Sequence, residues 1–169
     1  IAKPGDKAKP EEDFIKVLGK RLALAADKVV VALFKPRGIL SNRPAEQLIE
    51  RGTVFDMIPR IKERVFPIGR LDTDAEGILL LTNDGELAQR LNKPKYEVPK
   101  VFLVKIDGHL DDKKIKRLQF GIKIEDFKTR PIQVEKIKET PGKQWLKVTV
   151  TDTQNRIIRK VFENVGRPV

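Results

Sequence analysis

The 169-residue sequence contains no cysteine and a single histidine, His109. Disulfides, thiol nucleophiles and zinc–thiolate sites are excluded. Multi-histidine metal sites and Ser-His-Asp triads have little material here. His109 follows Asp107-Gly108, a strand-end turn pattern, and reads as a surface loop residue. Long apolar runs are missing too. The longest, around Val29 to Phe34, has the length of a strand, far short of the roughly 20 residues that span a membrane. The opening IAKPGDKAKPEEDF has no apolar core of a signal peptide and no initiating Met, so the chain is expected to begin inside a longer protein. A cysteine-free chain is compatible with a cytoplasmic home.

Positive charge is what the chain has in excess. Lys and Arg number 35 against 24 Asp and Glu, a formal net charge of +11. Such a balance suits a polyanionic partner, nucleic acid first, or else simply keeps a basic protein in solution. The length fits one compact domain with an appendage, and 40% hydrophobic residues suffice for a core.

Residues 1–14 are rich in Pro and charge and read as a linker, followed by a short strand at Phe14–Val17 and a Leu18-Gly19-Lys20 turn. The β-branched run KVVVALFK at 28–35 predicts a strand ended by Pro36-Arg37-Gly38. Pro44 to Arg51 predicts a short helix stopped by Gly52, and Thr53 caps a further turn. Val65–Ile68 and Gly77–Leu81 predict strands, the second buried on both faces. Asp84 and Asp111 are placed to cap helices running to Leu91 and Gln119. Alternating strands follow at Lys100–Asp107, Gly121–Ile124, Ile132–Ile137 and Trp145–Thr151. A last helix at about 155–165 carries Ile157, Ile158, Val161, Phe162 and Val165 on one stripe, with Gly166 at its C-terminal cap. Strands and helices without strict alternation predict an α+β fold. With no long apolar stripe left for the surface, a monomer is expected.

Two stretches carry chemistry. In FPIGRLDTDAEGILLLTNDGELAQR, residues 66–90, a loop with Arg70, Asp72, Asp74 and Glu76 hangs between two apolar strands, where catalytic side chains tend to lie. Leu71 is expected to pack inward, and Gly69 to let the backbone approach something closely. An acidic turn with Asp72 bonded to its own backbone fits the same residues. In NRIIRK at 155–160, Arg156 and Arg159 lie three apart and share one side of a helix start. Two guanidiniums there oppose the helix dipole, which is easier to understand if they meet a carboxylate or phosphate; a solvated basic face is the other reading.

The segment GRLDTDAEGILLLTNDG resembles the signature loop of the RsuA/RluB-type ribosomal RNA pseudouridine synthases, and LFKPRG at 33–38, VPKVFLVKI at 98–106 and NRIIRKVFENVG at 155–166 follow in that family's order. The resemblance runs from about Lys28 onward. It implies a mixed, largely antiparallel sheet flanked by helices, and isomerisation of a flipped-out uridine in ribosomal RNA without cofactor or metal. The family's essential aspartate falls on Asp72, acting by attack on the sugar or by removal of a ribose proton. Its partner arginine falls on Arg159, which predicts an Asp72–Arg159 salt bridge. Arg70, Arg156, Lys35, Arg37 and Lys100 are then expected to contact RNA. The family's base-stacking Tyr is replaced here by Phe102, which keeps the ring face and loses the hydroxyl; the sole tyrosine, Tyr96, lies six positions earlier. Residues 1–25 resemble the end of an αL-type RNA-binding domain plus linker, and 26–169 a catalytic domain whose relatives continue with further strands.

Overall fold

The structure is a computed structural model that describes residues 6–9, 13–21, 27–43, 51–154 and 156–169. The helix expected at 44–51 lies, but for its last residue, outside them, as does Asn155. In chain order the strands are β1 (Lys16–Val17), β2 (Lys20–Arg21), β3 (Val30–Lys35), β4 (Phe66–Ile68), β5 (Gly77–Thr82), β6 (Lys100–Asp107), β7 (Lys123–Ile124), β8 (Phe127–Lys128), β9 (Gln133–Thr140) and β10 (Lys143–Val150). The helices are α1 (Gly85–Asn92), α2 (Asp112–Gln119) and α3 (Ile157–Asn164), with single 3-10 turns at Val54–Met57 and Pro94–Tyr96. This is the α+β class the sequence predicts.

The strands form two three-stranded antiparallel sheets, ordered β3-β5-β4 and β6-β10-β9, and two small hairpins, β1-β2 and β7-β8. Each sheet has its own core. Leu79 and Leu81 of β5 turn with Val31 and Leu33 of β3 towards Val54 and Val65. Val104 and Ile106 of β6 and Leu146, Val148 and Val150 of β10 turn towards Leu118 of α2 and Ile157, Val161 and Phe162 of α3. The alternating pattern of β6 predicts this one-sided burial. The same rule corrects the reading of GILLL as buried on both faces. Ile78 is 76% exposed and stands opposite Phe34, itself exposed, so the outer face of β3 and β5 is open. An apolar surface therefore exists where the sequence suggested none. An all-aliphatic run hides its period, because Leu and Ile look alike on either face.

Helix ends follow their caps. The Asp84 carboxylate accepts from the backbone N–H of Glu86 and Leu87, and Asp111 accepts from Lys114. At the end of α3, Gly166 N–H donates to the Glu163 carbonyl and Arg167 N–H to that of Phe162, with Gly166 at φ +67°. That double bond pattern needs a left-handed residue, which glycine supplies without strain. Helix α3 starts differently. Arg156 stands at its N-cap in the left-handed region, φ +55°, with no side-chain cap.

Candidate active site

The loop between β4 and β5 is held mainly through its backbone. Ala75 N–H closes a turn on the Asp72 carbonyl, and the segment just after β3 grips the loop from beneath. The Lys35 ammonium donates to the Ala75 carbonyl at 2.8 Å and to its neighbour Pro36 at 2.9 Å. Gly38 N–H, from the KPRG turn, donates to the Thr73 carbonyl at 2.7 Å. The Ser41 hydroxyl donates to the Leu71 carbonyl at 2.7 Å and accepts from Leu71 N–H at 3.0 Å. The Leu71 side chain packs into the first core as expected. Gly69 has a different task from the one expected. It takes φ +77°, and a side chain there would meet nothing closer than 3.5 Å, so its role is the turn rather than a close approach.

Asp72 projects from this clamped turn towards the start of α3. Its Oδ2 lies 3.0 Å from Arg159 Nε and 3.5 Å from Arg156 Nε. The predicted pairing of Asp72 with Arg159 is present, and Arg156 joins it. The two arginines differ. Arg159 is the better buried and also reaches the Asp74 carboxylate through Nη2, so its guanidinium bridges two acids of one loop. Arg156 is mostly exposed and makes the longer contact. The hydrogen bond from Arg159 holds the Asp74 carboxyl below its usual range, and Asp74 in turn raises the guanidinium's pKa. This bridge contributes stability above the ordinary carboxylate range and loses it as pH falls through the depressed value. Asp72 itself is 34% exposed, so the expected dry pocket is open to water on one side.

Lys35 is corrected. It was expected to contact RNA, yet it is wholly buried, its ammonium spent on the loop carbonyl of Ala75 and on that of its neighbour Pro36. Burial pushes its pKa down, against the opposing pull of the Asp74 and Asp72 charges. The reason is its phase. In β3, Lys35 falls in step with Val31 and Leu33 on the inward face, which the charge of a lysine conceals. Substituting Lys35→Met is expected to lower the urea unfolding free energy by about 1–3 kcal/mol, the scale of losing charge-assisted hydrogen bonds to buried carbonyls. An unchanged midpoint would show that the lysine does not hold the loop.

Other expected residues divide. Arg70 is exposed and makes no ion pair among the described residues. Arg37 is exposed and lies 3.5 Å from Glu76. Lys100 is half-buried, donates to the Leu91 carbonyl at 3.3 Å, and has its pKa lowered by burial. Phe102 stands on the core-facing side of β6, packed against the cluster that includes Ile157. Tyr96 lies in the 3-10 turn before β6 with Lys95 Nζ 4.7 Å from its ring centre. Ser41 and the second carboxylate on Arg159, Asp74, were not anticipated. Nothing in the sequence singles out Ser41, whereas Asp74 stood in the loop with its partner 85 positions away.

A carboxylate on a turn, paired with Arg159 of a distant helix, is the geometry the signature loop implies; the Arg156 contact adds to it. The family profile described as RNA pseudouridylate synthase matches residues 29–164. The chain belongs to this family. Within it the RsuA/RluB type is the one matched. Ribosomal large subunit pseudouridine synthase B of Bacillus subtilis is 37% identical over 145 residues, 85% of this chain and 59% of the relative. The protein of that name in Escherichia coli O157:H7 is 37% identical over 175 residues, 98% of this chain and 59% of the relative. An uncharacterized RNA pseudouridine synthase of Aquifex aeolicus is 34% identical over 172 residues, 98% of this chain and 66% of the relative. The chain thus spans roughly three fifths to two thirds of the length of these curated relatives. A crystal structure described as pseudouridylate synthase superposes with a TM-score of 0.74 at 21% identity, over 99% of this chain and 70% of that one, which establishes the pseudouridine synthase fold.

Proposed function

We propose that this chain is the isomerase part of a pseudouridine synthase that converts a uridine of ribosomal RNA to pseudouridine. The observation that carries the reading is the Asp72 carboxylate, 3.0 Å from Arg159 Nε on a turn pinned by its carbonyls, within the family's matched residues. In this reaction the uridine is flipped out. The bond from N1 to the ribose breaks, the uracil turns, and C5 joins the ribose. C5 loses its proton and N1 gains one, so atoms balance without a redox step. Asp72 acts at the ribose, by attack on the sugar or by removing a ribose proton, and Arg159 keeps its carboxylate aimed. Arg156, Arg70, Arg37 and Lys100 are the RNA contacts in this reading; Lys35 no longer is one. The Phe102 ring offers a face to the uracil. The β1-β2 hairpin is read as the tail of an N-terminal RNA-binding domain. The protein works in the cytoplasm.

The test uses the native full-length protein on unmodified ribosomal RNA, with pseudouridine mapped by carbodiimide-stop sequencing. At least one new site is expected. RNA binding without any new site would favour the second reading, a non-catalytic RNA-binding or ribosome-assembly factor. Phe102 is the observation on that side, since it lacks the hydroxyl of the family's Tyr. A Phe102→Tyr variant is expected to change the single-turnover rate by less than about tenfold, because stacking uses the ring face that both share. A gain of several orders of magnitude would show that the hydroxyl is essential and that the native chain is a poor catalyst.

A further inference from the structure

A second cationic surface shares no residue with the Asp72 cluster. The outer side of α2 and the turn after it form a shallow groove of about 600 Å³, lined by Lys113, Lys116, Arg117, Lys123 and Phe120 among others. Positions 113, 116, 117 and 120 follow the i, i+3, i+4, i+7 rule of a single helix face. Ile115 and Leu118 turn the other way, into the second core. The groove is therefore a stripe of cations that ends in an aromatic ring.

Two features set it apart from an ordinary solvated face. First, the four cations are gathered in one groove. Elsewhere on the same half Lys143, Lys147 and Lys160 are matched with Asp107, Glu135 and Glu125, and Lys105, Lys128 and Lys138, without an ion pair among the described residues, stand on strands β6, β8 and β9. The four groove cations make no ion pair among the described residues. Asp112, the one acid at the rim, is already held by Lys136 at 3.0 Å. Second, Phe120 is 78% exposed, and its backbone is fixed. Gly121 N–H and Ile132 N–H both donate to the Leu118 carbonyl, and a Cβ on Gly121 would meet the Thr129 carbonyl oxygen at 2.2 Å. The ring is thus presented to water by a locked turn.

We propose that this groove is a second RNA-binding surface, where Lys113, Lys116, Arg117 and Lys123 hold phosphates and Phe120 stacks on an unpaired base outside the site that takes the target uridine. Charge complementarity selects a polyanion, and an exposed ring beside the cations selects one that carries flat bases. The inference rests on the pseudouridine synthase reading.

The test measures affinity of the full-length protein for unmodified ribosomal RNA across a range of salt, together with single-turnover rate at saturating RNA. The four cations are changed to Ala together, Phe120→Ala is made separately, and Lys136, Lys143 and Lys147 changed together to Ala serve as a control. The slope of log affinity against log salt is expected to fall by about three to three and a half in the quadruple variant, at about 0.7 to 0.9 per phosphate lost. It should stay unchanged in the control. Phe120→Ala is expected to weaken binding about tenfold at constant slope. Rates at saturation stay native, which also reports intact folding, since every substituted side chain is outside the core. A native slope in the quadruple variant overturns the proposal, as does an equal fall in the control. Binding of polyglutamate is measured alongside, and its loss in the quadruple variant with RNA binding intact overturns the proposal in favour of an acidic protein partner. If the native protein modifies RNA and the quadruple variant binds it normally, only this surface is refuted. If the native protein neither binds nor modifies RNA, the reading of the active site fails, and this surface with it.

Discussion

The Asp72→Asn variant is expected to bind ribosomal RNA at least as tightly as the native protein and to form pseudouridine at least about 10⁴-fold more slowly, the scale seen when an essential catalytic side chain is removed. The substitution is close to isosteric. The turn is held by Lys35, Gly38 and Ser41 through carbonyls and an N–H of the loop, none of which Asn disturbs. What changes is the charge. Without it the side chain can neither attack the ribose nor take a proton from it. Arg156 also loses its carboxylate partner and becomes available to phosphates, while Arg159 keeps Asp74, which is why affinity should rise rather than fall. Retained activity within about tenfold would remove Asp72 from the chemistry, and with it the central claim about this site.

Removing Arg159 is expected to lower the single-turnover rate by about 10²- to 10³-fold, as for other preorganised charged donors. Its guanidinium joins Asp72 to Asp74 and is the better buried of the two arginines. In Arg159→Leu, two carboxylates of one loop face each other without their shared cation, and Asp72 loses its aim. Arg159→Lys keeps the charge and gives up the fork that reaches two acids at once, so its rate should fall between. Arg156→Ala should mainly weaken RNA binding and flatten its salt dependence by about one unit of slope, because this exposed side chain makes the longer contact. Equal rate losses at both arginines would contradict this division.

Much of this site was legible before the structure. Asp72 and Arg159 lie 87 positions apart, and the signature loop together with the NRIIRK segment was enough to pair them. Strand β6 and the caps Asp84 and Asp111 were readable because alternation and short acidic side chains act locally. What escaped notice depended on three-dimensional closure. A lysine in a β-branched strand announces charge and not its phase, so Lys35 passed for an RNA contact. Ser41 is one hydroxyl in a polar stretch, and only the folded chain brings it beneath Leu71. The GILLL strand hid its open face in uniform leucine and isoleucine. The pairing of Asp74 with Arg159 needed the distance between a loop and a helix that no local pattern contains.

Apart from the Leu71 side chain in the first core, the grip on the loop falls on the carbonyls of residues 71, 73 and 75 and on one amide, and on no side chain of residues 73 and 75. Geometry and identity are thereby separated. Thr73, Ala75 and Glu76 can drift in sequence while the carboxylate at 72 stays where it is. Under the proposed function, a lineage can retune which RNA it accepts through these side chains without rebuilding its catalyst. A library randomised at 73, 75 and 76 should accordingly retain far more active members than one randomised at 35, 38 and 41, although only the first set lies beside the aspartate in sequence.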